Sequence, residues 1–371
     1  MMNHWINRIF ASCEQNQMTY PDFINHALYD PTYGYYMKDK KKIGRDGDFI
    51  TNSSIHSVFG EHFAQLFIEW IKVEKLEPRI IELGGGTGEF AAYVLSSIQR
   101  KEPALYDVLS YQIIDISPFH RKEQKERLSH HSPFQSLESI DAIVGQQAII
   151  FANEWLDAFP VAVVERKDDI LVEIGVQKKG NQLKEVTLPT VSSDVLCNLL
   201  TYFPNVPQDF RVEVPVSMIQ ELKALYQKLD KGIFIFIDYG YDKDEWGLLY
   251  RKEGTLRGYF QHQLMTDVLK NVGETDITSD VYWDLIKQVA SECGVHTALL
   301  KKQNEFLLQS GMLSYLEETT DVNPFSESVK KNRAIRSFLT SSMSESFDVC
   351  IQEKGCKHVA LWPCLQPILW E

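Results

Sequence analysis

Residues 80–90 constrain the fold of this chain more than any other segment. They combine an apolar strand, a glycine-rich turn and the start of an amphipathic helix, with Glu82 near the end of the strand. Glycine turns the backbone tightly and, having no Cβ atom, lets a ligand approach it closely. The pattern therefore predicts a nucleotide-binding βαβ unit in which Gly84, Gly86 and Gly88 contact a bound cofactor.

The acidic residue before the glycines separates two classes of ligand. The spacing Gly84-x-Gly86-x-Gly88 is not the G-x-G-x-x-G spacing of dinucleotide sites. A carboxylate at Glu82 suits the sulfonium and amino groups of S-adenosylmethionine, whereas it would repel a pyrophosphate. A methyltransferase loop is therefore favoured over the nicotinamide loop of a dehydrogenase, and a glycine-rich turn without a ligand is the structural alternative.

Composition excludes several other classes. The formal net charge of −13 argues against a general nucleic-acid binder, which needs a basic surface to hold phosphates. The six cysteines are scattered and form no C-x-x-C pair, which favours free thiols in a reducing cytosol over a metal site. The N-terminal residues do not resemble a signal or transit peptide, and the apolar runs are too short to span a bilayer. We therefore expect a soluble cytoplasmic protein that binds no metal, nucleic acid or membrane; the oligomeric state stays open.

The chain is predicted to have a helical N-terminal region and an α/β domain. Residues 1–78 are typical of helices and irregular segments. From residue 79, continuous apolar strands alternate with helices, which indicates a parallel sheet covered on both faces. A predicted β-hairpin at 161–175 and a long turn-rich loop interrupt this alternation. We therefore predict a methyltransferase-type domain over 79–371, with insertions near 161–215 and 240–281.

Asp115 ends the second predicted strand of the α/β domain. Nucleotide-binding folds place an acidic residue there to accept hydrogen bonds from ribose hydroxyls. The distance from the glycine loop exceeds the usual twenty or so residues, but a long intervening helix accounts for it. A helix N-cap is the alternative role for Asp115.

A second polar segment, Asn153-Glu154-Trp155-Leu156-Asp157, follows the next buried strand. The carboxyl ends of parallel strands face the ligand crevice, so Asn153, Glu154 and Asp157 are candidate catalytic residues. Two acidic residues could grip a guanidinium or ammonium group and orient its lone pair toward a methyl sulfonium. Alternatively, Asp157 caps a short helix.

The loop at 44–51 is a candidate lid. Gly47, Asp48 and Phe49 combine a flexible turn, an acid and an aromatic ring that could fold over a bound cofactor. A plain surface turn is the alternative.

Together these segments resemble the MidA-like class I methyltransferases, a family that includes mitochondrial complex I assembly enzymes. The similarity covers nearly the whole chain. It is carried, in order, by Tyr33-Gly34-Tyr35-Tyr36, by Gly44-x-x-Gly47-Asp48-Phe49-Ile50-Thr51 with Phe59-Gly60-Glu61, by Glu82-Leu83-Gly84-x-Gly86-x-Gly88, by Asn153-Glu154-x-x-Asp157-Ala158-x-Pro160, by Asp238-Tyr239-Gly240 with Gly254-Thr255-Leu256-Arg257, and by Asp276-Ile277-Thr278.

The resemblance implies a Rossmann-like, seven-stranded core that binds S-adenosylmethionine, with added helical and β elements for the substrate. It implies cofactor contacts from Glu82, Gly84, Gly86 and Asp115. For the mitochondrial members it implies dimethylation of a protein arginine in an assembly partner. A second set would frame the methyl-transfer centre: Gly47, Asp48, Asn153, Glu154 and Asp157.

The chain departs from the family pattern after Thr278. Where relatives usually have a His-Val-Asp-Phe-like segment, this chain has Asp280-Val281-Tyr282-Trp283. The departure concerns the substrate more than the cofactor. A small-molecule methyltransferase and a non-catalytic protein that binds S-adenosylmethionine are therefore kept as alternatives to a protein-arginine methyltransferase.

Overall fold

The computed structural model describes residues 2–39, 56–143, 145–203, 205–261, 263–321, 323–359 and 362–365. The chain divides into two compact units. The first unit contains residues 1–49, 156–223 and 241–289, and the second contains residues 50–155, 224–240 and 290–371. The predicted lid residues Gly47 and Asp48 lie outside the described residues.

The strands of the described residues are β1 (Gln17–Thr19), β2 (Arg79–Leu83), β3 (Ser110–Ile114), β4 (Phe134–Leu137), β5 (Gln147–Asn153), β6 (Ala162–Lys167), β7 (Ile170–Lys179), β8 (Gln182–Thr187), β9 (Arg211–Val214), β10 (Lys231–Tyr241), β11 (Arg257–Phe260), β12 (Gln263–Met265), β13 (Asp276–Thr278), β14 (Val281–Tyr282), β15 (His296–Lys302) and β16 (Phe347–Lys354).

The α-helices are α1 (Met2–Ala11), α2 (Tyr20–Tyr29), α3 (Ser57–Glu74), α4 (Glu89–Lys101), α5 (Pro103–Tyr106), α6 (Pro118–Arg127), α7 (Ser193–Tyr202), α8 (Val216–Lys228), α9 (Trp283–Glu292), α10 (Gln303–Gln309), α11 (Glu327–Thr340) and α12 (Ser342–Ser346). Among the described helices, not one combines the length and apolar character that a bilayer crossing requires.

The second unit contains the seven predicted strands in the order β15-β16-β10-β5-β2-β3-β4, and β14 pairs with β10 as an eighth strand of this sheet. The pairs from β10 to β4 are parallel, and β16 is antiparallel to both of its neighbours. The central strands β5 and β10 are buried along most of their length, as expected for parallel strands covered on both faces. The predicted α/β, Rossmann-like core is therefore confirmed. The carboxyl ends of β2, β3 and β5 lie at the same edge of the sheet.

Aromatic side chains join helix α3 to this sheet. Phe63 lies 5.0 Å from Phe151 of β5, measured between ring centroids, and Phe90 of α4 stacks on Phe151 at 4.3 Å and 7°. Helix α3 thus belongs to the second unit, although it precedes the boundary predicted at residue 78. Its apolar face packs on the core of that unit.

The first unit is built on two antiparallel sheets. One has the order β1-β7-β6-β9 with β8 beside β7, and the other has the order β12-β11-β13. The predicted hairpin is confirmed as β6 and β7, joined by Asp168 and Asp169, which both adopt positive φ (46° and 62°). Such a two-residue turn matches the twist of the strands that it joins. The segments predicted as insertions, near 161–215 and 240–281, fall almost entirely within this unit.

Replacement of Phe151 with alanine should lower the free energy of unfolding by about 3–5 kcal/mol, because it empties the aromatic centre of the second unit. Urea unfolding measures the loss. Phe325, which is 76% exposed, provides the control: Phe325→Ala should leave the stability nearly unchanged. A similar loss in both variants would contradict the assigned packing.

Candidate functional site

The glycine loop connects β2 to α4 in the second unit. Gly84, Gly86 and Gly88 have positive φ values of 66°, 51° and 76°, a region that side chains disfavour. The Gly84 amide donates to the carbonyl of Ile114 at 2.8 Å, which ties the loop to the end of β3. A Cβ atom on Gly84 would lie 3.0 Å from Cδ1 of Trp155. Backbone conformation therefore favours glycine at all three positions, and close packing against Trp155 favours it further at Gly84.

The Glu82 carboxyl group lies beneath this loop. Its side chain is only 4% exposed, and Oε2 accepts a 2.8 Å hydrogen bond from the hydroxyl of Tyr111. Burial raises the pKa of Glu82 to about 8, although the Tyr111 hydrogen bond acts in the opposite direction. Asp115 adds to the increase because its negative charge disfavours a second one nearby.

Asp115 follows β3 and is buried. Its Oδ2 atom accepts a hydrogen bond from the Gly86 amide (3.0 Å) and lies 3.2 Å from Nδ1 of His120. Its Oδ1 atom accepts from the Ser117 amide at 2.9 Å. The carboxylate therefore joins the ends of two adjacent parallel strands, in addition to the predicted ribose role. A carboxylate has about four acceptor positions, so Oδ1 retains the capacity for a further donor.

Asn153 is the last residue of strand β5, and Glu154 follows it directly. Glu154 adopts φ 54°, which is rare for a residue with a side chain, and its amide donates to the carbonyl of Ile237 at 2.9 Å. Its carboxylate accepts hydrogen bonds from Asn153 Nδ2 (2.9 Å) and from the Tyr239 hydroxyl (3.3 Å). The Glu154 side chain is thus held at the edge of the sheet while it stays partly exposed.

The amide oxygen of Asn153 is buried and accepts no hydrogen bond from a described residue. Buried acceptors usually have a donor, so this atom favours a ligand or water that supplies one.

Asp157 belongs to the first unit. Its carboxylate accepts a 2.8 Å hydrogen bond from the hydroxyl of Thr278, the last residue of β13. Burial raises the pKa of Asp157 to about 6, while the Thr278 hydrogen bond and the charge of Arg257 act in the opposite direction. Arg257 pairs with Asp280 at 2.6 Å, and Arg251 binds the other oxygen of Asp280 at 3.0 Å.

Aromatic residues of the YGYY segment lie in the same unit as Asp157. The Tyr36 hydroxyl donates to Oδ1 of Asp276 at 2.7 Å, and the Tyr29 and Tyr36 rings stack at 5.6 Å. Burial raises the pKa of Tyr36, and the nearby charges of Asp276 and Asp157 raise it further. Three segments that are distant in sequence therefore meet within the first unit.

The structure brings most of the predicted site residues to one edge of the parallel sheet. Those at the ends of β2, β3 and β5 are Glu82, Gly84, Gly86, Gly88, Asp115, Asn153 and Glu154. Asp157 is placed in the first unit, and Gly47 and Asp48 lie outside the described residues.

Sequence reasoning missed the contacts that fix these side chains. The hydroxyls of Tyr111 and Thr278 bind the carboxylates of Glu82 and Asp157, and Trp155 packs against Gly84. Local spacing could not reveal these pairs, because their partners are remote in sequence. Among the described residues, no group of three or more histidine, cysteine or acidic side chains is arranged to hold a metal ion.

Comparison with known proteins identifies the family. Residues 62–300 match the model of a family described as "Putative S-adenosyl-L-methionine-dependent methyltransferase". Similar curated proteins include the mitochondrial protein arginine methyltransferase NDUFAF7 of Danio rerio, which is 26% identical over 79% of this chain and 72% of the relative. The Drosophila melanogaster homologue is 26% identical over 77% of this chain and 70% of that protein.

A solved structure confirms the fold. A Burkholderia thailandensis protein with bound S-adenosyl-homocysteine superposes with a TM-score of 0.85 and 23% identity, covering 97% of this chain and 94% of that one. A second structure from the same organism gives a TM-score of 0.81 at 23% identity, covering 98% of this chain and 93% of that one. Since the family model spans more than half of the sequence, the chain belongs to the MidA-like family of S-adenosyl-L-methionine-dependent methyltransferases.

Proposed function

We propose that this methyltransferase modifies a guanidinium nitrogen of a protein arginine. The observation that carries the proposal is the Glu154 carboxylate, which is held by Asn153 and Tyr239 and stays partly exposed at the end of β5. Carboxylates bind guanidinium groups through paired, charge-assisted hydrogen bonds. The names of the curated relatives, which are protein arginine methyltransferases, support the same substrate class.

The residues around the glycine loop fit the family's cofactor. Three positive-φ glycines allow close approach, and the amide oxygen of Asn153 offers an acceptor that described residues leave unfilled. Ile116, directly after Asp115, is 49% exposed and offers an apolar surface for an aromatic base. We assign the cofactor contacts to Glu82, Gly84, Gly86, Gly88 and Asp115.

The bound cofactor supplies an electrophilic methyl group on a sulfonium. The chain's own residues bind and orient the acceptor, so positioning and electrostatics provide most of the rate. Glu154 holds the guanidinium by charge, and the hydrogen bonds from Asn153 and Tyr239 hold its carboxylate in place. Asp157 stays a predicted acceptor residue, as do Gly47 and Asp48 in the predicted lid. The cytoplasmic location stays a prediction.

Glu154→Gln should lower methyl transfer by about 100-fold, because the amide keeps the shape of the side chain but loses its charge. The measurement is transfer of tritiated methyl from S-adenosylmethionine to proteins of a cell lysate, followed by amino-acid analysis. The label should appear in methylarginine. The exposed Glu126→Gln variant serves as a control and should retain full transfer.

Two results would contradict this assignment. Transfer by Glu154→Gln at the wild-type rate would remove Glu154 from the acceptor site. Label on small molecules alone would favour a small-molecule methyltransferase, and no transfer despite cofactor binding would favour a non-catalytic protein.

Gly84→Val should abolish binding of S-adenosyl-homocysteine, because the side chain fills the loop and strains a backbone at φ 66°. Gly294→Val is the matched control: Gly294 lies in the same unit at φ 71°, and no atom lies within 4 Å of a Cβ placed there. Both variants carry backbone strain, but Gly294→Val should bind normally in calorimetric titration. Equal binding by both variants would show that the loop is not the cofactor site.

Glu82→Gln should change the pH dependence of stability. The pKa of Glu82 rises from 4.5 to about 8 on folding, so the folded protein retains a proton that the unfolded chain releases between these values. The free energy of unfolding of the wild type therefore falls as pH rises through this window. The neutral glutamine avoids this loss, so the variant should gain stability relative to wild type up to about pH 8. Urea unfolding from pH 5 to 9 without ligand tests this; a difference independent of pH would contradict it.

A further inference from the structure

Gln124 is a fully buried amide in a predominantly polar helix. Helix α6 carries Arg121, Lys122 and Lys125, yet Gln124 is 0% exposed. A buried amide is costly unless its donors and acceptors are paired. The hydrogen bonds of the Gln124 amide therefore explain how a polar side chain is accommodated at this buried position.

Both ends of the Gln124 amide are engaged. Nε2 donates to the carbonyl of Gly86 at 2.8 Å, and it lies 3.5 Å from Oδ2 of Asp115. Oε1 accepts a 2.7 Å hydrogen bond from the hydroxyl of Ser136 on β4. Because Ser136 donates to the oxygen, the amide nitrogen is directed toward the glycine loop.

Gly86 is consequently held on both sides. Its amide donates to Asp115, and its carbonyl accepts from Gln124, while its backbone keeps φ 51°. Gln124 also packs beneath the next glycine: a Cβ atom on Gly88 would lie 3.3 Å from Cγ of Gln124. Asp115 therefore holds the amide of Gly86 and Gln124 holds its carbonyl, so that both backbone polar groups of this loop residue are fixed.

We propose that Gln124 is a positioning residue for cofactor binding, acting through the carbonyl of Gly86. The inference rests on the assignment of the cofactor to the glycine loop. With the amide removed, the Gly86 carbonyl loses its buried donor, and the loop populates conformations that expose it to water. The apparent dissociation constant rises in proportion to the loss of the binding-competent conformation.

The test compares two glutamine-to-methionine variants of the full chain. Gln124→Met keeps the length of the side chain but has no amide. Gln352→Met is the matched control, because Gln352 is also 0% exposed in the same unit and its amide binds Tyr226 and Thr297 away from the loop. Calorimetric titration with S-adenosyl-homocysteine gives the dissociation constants, and thermal unfolding gives Tm without ligand.

We expect Gln124→Met to weaken binding about tenfold, on the order of the effect of one unsatisfied buried carbonyl. Gln352→Met should lower Tm but leave the dissociation constant unchanged. Amide exchange at Gly86 should accelerate in Gln124→Met alone. Ser136→Ala, which releases only the Gln124 oxygen, should weaken binding in the same direction by a smaller factor, and it decides the question if Gln124→Met does not fold.

Unchanged binding by Gln124→Met, or by Ser136→Ala where the first variant fails to fold, would overturn the role of Gln124. Equal weakening in Gln352→Met would also overturn it, since that result reflects general destabilisation. Wild-type protein that does not bind S-adenosyl-homocysteine would instead reject the assignment of the cofactor to the loop, and the inference with it.

Discussion

The hydrogen bond from the Gly86 amide to the Asp115 carboxylate, 3.0 Å long, is the interaction on which the proposed cofactor site depends. It joins the turn after β2 to the turn after β3 at the carboxyl edge of the parallel sheet. Glu82 lies close by, and two ionised acids in a buried space would repel each other. Burial raises the pKa of Glu82, and the charge of Asp115 raises it further, so the neutral form of the Glu82 carboxyl group is favoured. A cationic ligand would reverse this preference.

The sequence was sufficient to predict the strand, the glycine loop and the following helix, because glycines and apolar runs act locally. It also predicted that the residues after β3 and β5 would meet at one edge, since this follows from parallel strand order. The residues that hold the site were not predictable in this way. Gln124 is separated from Gly86 by 38 positions, and Thr278 from Asp157 by 121, so no periodicity links them.

The predicted boundary at residue 78 also shows the difference between what local sequence patterns reveal and what depends on contacts remote in sequence. Helix α3 has an apolar face that is evident in the sequence, but the identity of its packing partner is a tertiary property. Phe63 contacts the rings of Phe90 and Phe151, and these contacts place α3 with the second unit. The sequence predicted helices within residues 1–78, and only the fold could assign α3 to the second unit.

The departure from the family pattern also has a physical consequence. Asp280 begins the segment in which the sequence departs from the pattern of the resemblance, and its carboxylate binds both Arg251 and Arg257. Removing Asp280 would take the shared carboxylate from both arginines, although Arg251 would keep its ion pair with Glu245 at 3.5 Å. This cluster lies within the first unit. Arg257 of β11 is paired with Thr278 of β13, and the hydroxyl of Thr278 donates to Asp157.

A crystal structure of the protein with S-adenosyl-homocysteine would test the proposed cofactor site most directly. We expect the ligand to lie against Gly84, Gly86 and Gly88, with its ribose near Asp115 and with the Gln124–Gly86 hydrogen bond intact. A ligand bound away from the carboxyl ends of β2 and β3, with the glycine loop unoccupied, would contradict the central assignment.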